Sequence, residues 1–131
     1  MQWAAALRGL LAEPQSDAAR EQGLYGAWLC GSVLGAASMG LHHKLCHTLG
    51  GSCNLPHAET HTVMLPHTLA YNAACAPAAM SHAARALGTV ENRVPQAIYD
   101  LMRAAGAPLA LKELGMPAES LDRVADLDRM A

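Results

Sequence analysis

At 131 residues the chain is long enough for one domain with a modest core. Hydrophobic residues make up 52% and aromatic residues only 4%, with no Phe, so the interior must be built from Ala, Leu and other small side chains. Ala and Leu favour helices while the β-branched residues that favour strands are scarce, and a formal net charge of −2 without any basic run argues against nucleic acid or an anionic membrane surface as the main partner.

An all-α fold is therefore expected, and its helices can be placed in order. The first runs from about Gln2 to Ala12 and stops before Pro14. Its N-terminal segment lacks the basic-then-apolar order of a secretory signal, and Cys30, Cys46, Cys53 and Cys75 form no CxxC pair. Reduced thiols of a cytoplasmic protein are expected. Ser16 or Asp17 is placed to cap a second helix, which is expected to continue towards a cluster of histidines. Residues 23–41 carry no charge, and Gly31 and Gly35 form a GxxxG step, so a membrane span has to be weighed. The stretch is rich in Gly, Ala and Ser and has no flanking basic residues, which favours a buried soluble helix. Gly31, Gly35 and Ser38 would then lie along one side, where another backbone can approach.

Gly50-Gly51 is expected to end this segment. After a short loop, Pro56 opens a helix that Pro66 should kink or break. Packing helices follow over about Pro77–Leu87, Pro95–Ala105 and Ala118–Arg129, with Gly88, Gly106 and Gly115 as punctuation. Residues 1–131 thus read as a single helical domain: lead-in helices over 1–22, a His-rich site region over 23–72 and packing helices over 73–131. No internal repeat is evident. No Gly-rich phosphate loop follows a strand, so a nucleotide-binding domain is absent from this stretch.

Six of the seven histidines fall between positions 42 and 67: His42, His43, His47, His57, His61 and His67. His43 and His47 are four apart, so on a helix their rings share a face about 6 Å apart along the axis. His57 and His61 repeat the spacing on the next helix. A tight turn between the helices would bring His43, His47 and His57 together as a metal site, a proton relay or an anion site. His57-Ala58-Glu59-Thr60-His61 is HxExH and not the HExxH of zinc proteases, and Glu59 should project away from the histidine face. Cys46 and His47 are helix neighbours pointing about 100° apart, so Cys46 is expected to be a buried, inert thiol. His42 reads equally as a helix-surface residue, and His67 as a partner for a carbonyl freed by Pro66.

Together these segments resemble a known family. The pieces are Gly26-Ala27-Trp28-Leu29-Cys30-Gly31, the run from Leu41-His42-His43-Lys44 through His47-Thr48-Leu49-Gly50-Gly51, Leu55-Pro56-His57-Ala58-Glu59, Leu65-Pro66-His67 and Tyr71-Asn72. Residues 23–72 are similar to the maleylacetate reductases, a branch of the iron-containing alcohol dehydrogenases, and weaker similarity extends to Leu114-Gly115-Met116-Pro117. The resemblance implies the helical C-terminal domain of a cytoplasmic NAD(P)H-dependent oxidoreductase, one that reduces the double bond of maleylacetate to 3-oxoadipate in the breakdown of aromatic compounds. It places the family's metal ligands on His43 and His57, for Fe2+ or Zn2+, and a residue near the nicotinamide on His47, with His57 beside it.

The substrate implied is a dicarboxylate, which His42, Lys44 and His47 would meet with positive charge and donors. The family's remaining ligands, an Asp and a His one helical turn apart, come from an upstream helix, and no such pair precedes His43. Weak metal binding or none is therefore expected of the chain alone, and no reductase activity without its cofactor-binding half. The wall facing that half should be an apolar, small-residue surface, covered by the missing N-terminal domain or by self-association. The alternative reading is a stand-alone helical module that binds a ligand or metal without redox chemistry.

Overall fold

The computed structural model describes residues 2–120 and 122. Among them there are six α-helices and no strand: α1 (Gln2–Ala12), α2 (Asp17–Ala36), α3 (Leu41–Cys53), α4 (His57–Asn72), α5 (Pro77–Leu87) and α6 (Val94–Ala104). Three short 3-10 turns, Ala73–Cys75, Glu91–Arg93 and Leu111–Leu114, join or follow them. The helix expected over Ala118–Arg129 falls almost wholly outside the described residues.

α1 and α2 form one hairpin. Ser16 caps α2, its hydroxyl accepting from the Ala19 amide. The two backbones come close because Gly9 has no side chain: a Cβ there would meet the Ala19 Cβ at 3.1 Å. Arg8 ties this hairpin to α5 by donating to the Leu87 carbonyl at 2.8 Å. α3 and α4 form a second hairpin, and α4 packs on α6. One core gathers Met80, Ala84, Leu87 and Val94 with Leu69 and Ile98 around them. The other gathers Leu49, Leu55 and Met116 beneath the α3–α4 turn. Gly88, Gly106 and Gly115 all take positive φ and end their helices or turns as expected.

Four expectations are corrected. The second helix does not reach the histidines. It ends at Ala36, the chain extends at Ala37, and α3 starts afresh after Gly40 at 94° to α2. The helix carrying the histidines runs through Gly50-Gly51 to Cys53, and the left-handed residue that ends it is Asn54 (φ 51°). Two internal glycines cost about 1 kcal/mol each, and burial of Cys46 and Leu49 on the same helix offsets this. α4 continues through Pro66 without a break. Threonine hydroxyls add bonds to carbonyls along it: Thr60 to Pro56, Thr62 to Ala58, and Thr68 to both Met64 and Leu65.

The fourth correction concerns α2. Its large apolar residues are not buried: Leu24 is 74% exposed, Trp28 64% and Val33 65%. Among the described residues, no backbone approaches Gly31 or Gly35. α2 touches α1 with one side, and an uncovered apolar face lies along the rest. No single helix among the described residues is long and apolar enough to cross a membrane.

Candidate active site

Five of the six clustered histidines meet where α3 crosses α4. Spacing accounts for this: His43 and His47 are one turn apart on α3, His57 and His61 one turn apart on α4, and Asn54-Leu55-Pro56 folds one helix back on the other. The ring of His61 lies at the centre. Its centroid is 4.4 Å from His57, 4.7 Å from His43, 4.9 Å from His42 and 6.5 Å from His47. His47 also lies 6.1 Å from His43 and 5.6 Å from His57. His43, His47 and His57 are thus brought to one place, with His61 among them.

The cluster is graded from wet to dry. His47 and His57 are exposed, His43, His61 and His42 half-buried, and Cys46 fully buried. His42 is not a surface residue. Its Nδ1 is 3.0 Å from the Thr68 hydroxyl and its Nε2 3.1 Å from Nδ1 of His61. Burial, and to a lesser degree the His43 imidazole, lower its pKa below the ordinary histidine value. The same causes act more strongly on His61: burial first, then His42, His57, His43 and His47, push it down to about 4. His61 is therefore neutral at neutral pH.

Cys46 lies 3.9 Å from Nε2 of His42, one turn away on α3, and burial pushes its thiol up to about 11. An inert thiol is what that environment gives. Lys44 is exposed, turned by the helix about 100° from His43. Glu59 is exposed too. His67 stands apart from the ring cluster, on a shallow surface with Leu41, Leu45 and Tyr71.

Two residues that spacing alone did not single out as site residues belong here. His61 had a signal, its four-residue separation from His57. Thr68 had none. Behind His42 and His61 lies an apolar cavity of about 340 Å³, walled by Leu7, Leu65, Ile98 and Met102.

Among the described residues, two sets of donor atoms are close enough to share one metal ion: His42, Cys46 and His61, and His47, His57 and His61. In each, one ligand atom from every residue lies within 4.8 Å of the others. Among the described residues, neither set includes His43. Neutral imidazoles suit zinc and ferrous iron alike.

Residues 3–130 match the C-terminal region of the Fe-containing alcohol dehydrogenase family. The chain is 58% identical over 123 residues to the maleylacetate reductase of Burkholderia cepacia, covering 94% of this chain and 34% of that protein. It is 55% identical over 122 residues to that of Pseudomonas knackmussii, again covering 34% of the relative. Among solved structures, the maleylacetate reductase of Rhizobium sp. strain MTP-10005 superposes with a TM-score of 0.88 at 50% identity, over 98% of this chain and 36% of that one. An iron-containing alcohol dehydrogenase from Corynebacterium glutamicum gives 0.84 at 38% identity, over 97% of this chain and 37% of its own. The chain spans about a third of the length of these relatives, and it belongs to the iron-containing alcohol dehydrogenase family, as part of the C-terminal helical region.

Proposed function

We propose that this chain supplies the substrate-side wall of an NAD(P)H-dependent maleylacetate reductase, acting in aromatic-compound breakdown. The supporting observation is a histidine cluster that opens to solvent at His47 and His57, in a chain 52–58% identical to proteins of that name. In the intact protein the chemistry is hydride delivery from NADH or NADPH to the carbon–carbon double bond, yielding 3-oxoadipate. The substrate is a dianion. Lys44 and His47, both on the accessible side of α3, attract and orient its carboxylates. Hydride addition leaves an enolate-like charge that must be stabilised and then protonated. His47, exposed where the cluster opens to solvent, is assigned that proton transfer, with His57 beside it against the nicotinamide.

His42 acts through another ring: both its nitrogens are engaged, so it positions His61. By resemblance His43 and His57 are assigned to iron or zinc in the intact protein, where a metal supplies Lewis acidity. The apolar face of α2 is assigned to contact with the remaining two-thirds of a relative-length polypeptide, because the relatives extend well beyond the matched region. The donor sets around His61 favour one second reading, a helical metal-binding module without redox activity.

The test is to follow NADH and NADPH absorbance with maleylacetate at high protein concentration. The chain is first assayed alone, then with the separately produced N-terminal part of the Burkholderia cepacia relative. Activity only after mixing, abolished by His47→Ala, is expected. Turnover by the chain alone, or none after a complex has formed, overturns the reading.

A further inference from the structure

The hydrogen bonds around His42 have a direction, and a buried threonine on α4 sets it. The Thr68 hydroxyl lies 3.1 Å from the carbonyls of Met64 and Leu65, which accept and never donate, so its one proton is committed to them. Its oxygen is left as an acceptor, and Nδ1 of His42, 3.0 Å away, brings the proton to that contact. A neutral imidazole carries one N–H, so Nε2 of His42 is a bare acceptor. It faces Nδ1 of His61 at 3.1 Å, and that nitrogen must be the donor. The Cys46 thiol, 3.9 Å from the same acceptor, is a weak second donor to it. Both rings are therefore held as Nδ1–H tautomers, and Nε2 of His61 carries a lone pair.

We propose that Thr68 is a positioning residue of the reductase site: by fixing the direction of the His42–His61 hydrogen bond, it holds the His61 ring in place beneath His57. The role rests on the reading above, in which His57 lies against the nicotinamide and His47 transfers the proton. His57 is exposed. Of the rings around it, His61 is nearer, at 4.4 Å between centroids against 5.6 Å for His47. His61 also lies 4.7 Å from His43. A shift of this central ring is therefore passed to its neighbours. His61 is fixed at Nδ1 by His42, and His42 is fixed on its far side by Thr68.

The same pair of rings could run the other way, with Nε2–H of His42 donating to Nδ1 of His61. The proton of His61 would then sit on Nε2, an atom that is buried and has no hydrogen-bond partner among the described residues. A buried N–H without an acceptor is rarer in folded proteins than an acceptor with a spare lone pair, so the His61 ring would have to turn to satisfy it. Thr68 decides between the two directions. Serine at that position keeps the hydroxyl and the choice. Valine keeps the shape of threonine without the hydroxyl. It leaves Nδ1–H of His42 unpaired, and reversal of the pair takes the proton off that atom.

The test has two readouts. Long-range proton–nitrogen NMR correlation on the isotope-labelled chain, in chelator at neutral pH, distinguishes the tautomers of a neutral imidazole, with peaks assigned through His42→Gln and His61→Gln. Nδ1–H is expected at both rings in the unmutated chain and in Thr68→Ser, and Nε2–H at both in Thr68→Val. The second readout is kinetic, with the chain joined to the N-terminal part of the Burkholderia cepacia relative and assayed with NADH and maleylacetate. Thr68→Val should lower kcat by about 10- to 100-fold through misplaced rings, with KM within about twofold because Lys44 and His47 still meet the carboxylates. Thr68→Ser should keep kcat near that of its parent. Nε2–H at either ring of the unmutated chain overturns the proposal. So does a Thr68→Val variant with unchanged tautomers, or one with parental kcat in an active fusion. A fusion without turnover, its tautomers as expected, removes the reductase reading and the positioning role with it.

Discussion

Acidification should destabilise this protein through His61. In the folded chain its pKa is pushed down to about 4, by burial first and then by the imidazoles of His42, His57, His43 and His47, from an ordinary 6.5. The unfolded chain therefore binds a proton between those values that the folded chain refuses, and stability must rise with pH across the window. The contribution is complete above about pH 6.5 and is lost as the pH falls towards 4. The full shift corresponds to about 3 kcal/mol, and partial solvent access at the cluster reduces the expected loss to about 1–2 kcal/mol. His42, lowered in the same direction, adds to it. The assay is urea unfolding followed by far-UV circular dichroism, in chelator, at steps from about pH 7.5 to 4.5, for the unmutated chain and His61→Gln. The unmutated chain should lose more stability on acidification than the variant, by about 1–2 kcal/mol. Parallel pH profiles, or a chain more stable in acid, would refute the reasoning.

Three further outcomes are expected. Thr68→Val leaves Nδ1–H of His42 buried without its acceptor and should cost about 1–3 kcal/mol in urea unfolding. Iodoacetamide at neutral pH should label the exposed Cys30 and Cys75 in the folded chain, whereas Cys46, buried and with its thiol raised to about 11, should react only after unfolding; peptide mass spectrometry reads this directly. Replacing Leu24 and Trp28 on α2 by Gln should change stability by less than about 0.5 kcal/mol each, because both are exposed. The same substitutions should weaken association with the N-terminal part of a relative, measured by sedimentation.

The helices were legible because Ala and Leu dominate and because proline and glycine punctuate them. The boundaries from Pro77 to Ala104 needed only local signals such as first-turn prolines and the positive-φ Gly88. Where punctuation and packing disagreed, packing won. Gly50-Gly51 and Pro66 sit inside helices whose neighbours, Leu49 and Val63, are anchored in the interior. The exposure of α2 was not legible, since apolar content says that a face seeks cover and not which atoms provide it. The meeting of His43, His47 and His57 followed from four-residue spacing and a tight turn. The bond from His61 to His42 did not, because it depends on the rotation of α3 against α4, which no local pattern encodes. Thr68, whose hydroxyl fixes the tautomers, is one of several threonines on α4 and carries no signal of its own.

The central claim, that these residues form one wall of a maleylacetate reductase site, can be tested by transplantation. The matched third of the Burkholderia cepacia relative would be replaced by this chain, and NADH oxidation measured with maleylacetate. The account predicts an active chimera in which His47→Ala lowers kcat by at least about 100-fold. A folded chimera without turnover, or one whose His47→Ala variant reacts as fast as its parent, would contradict it.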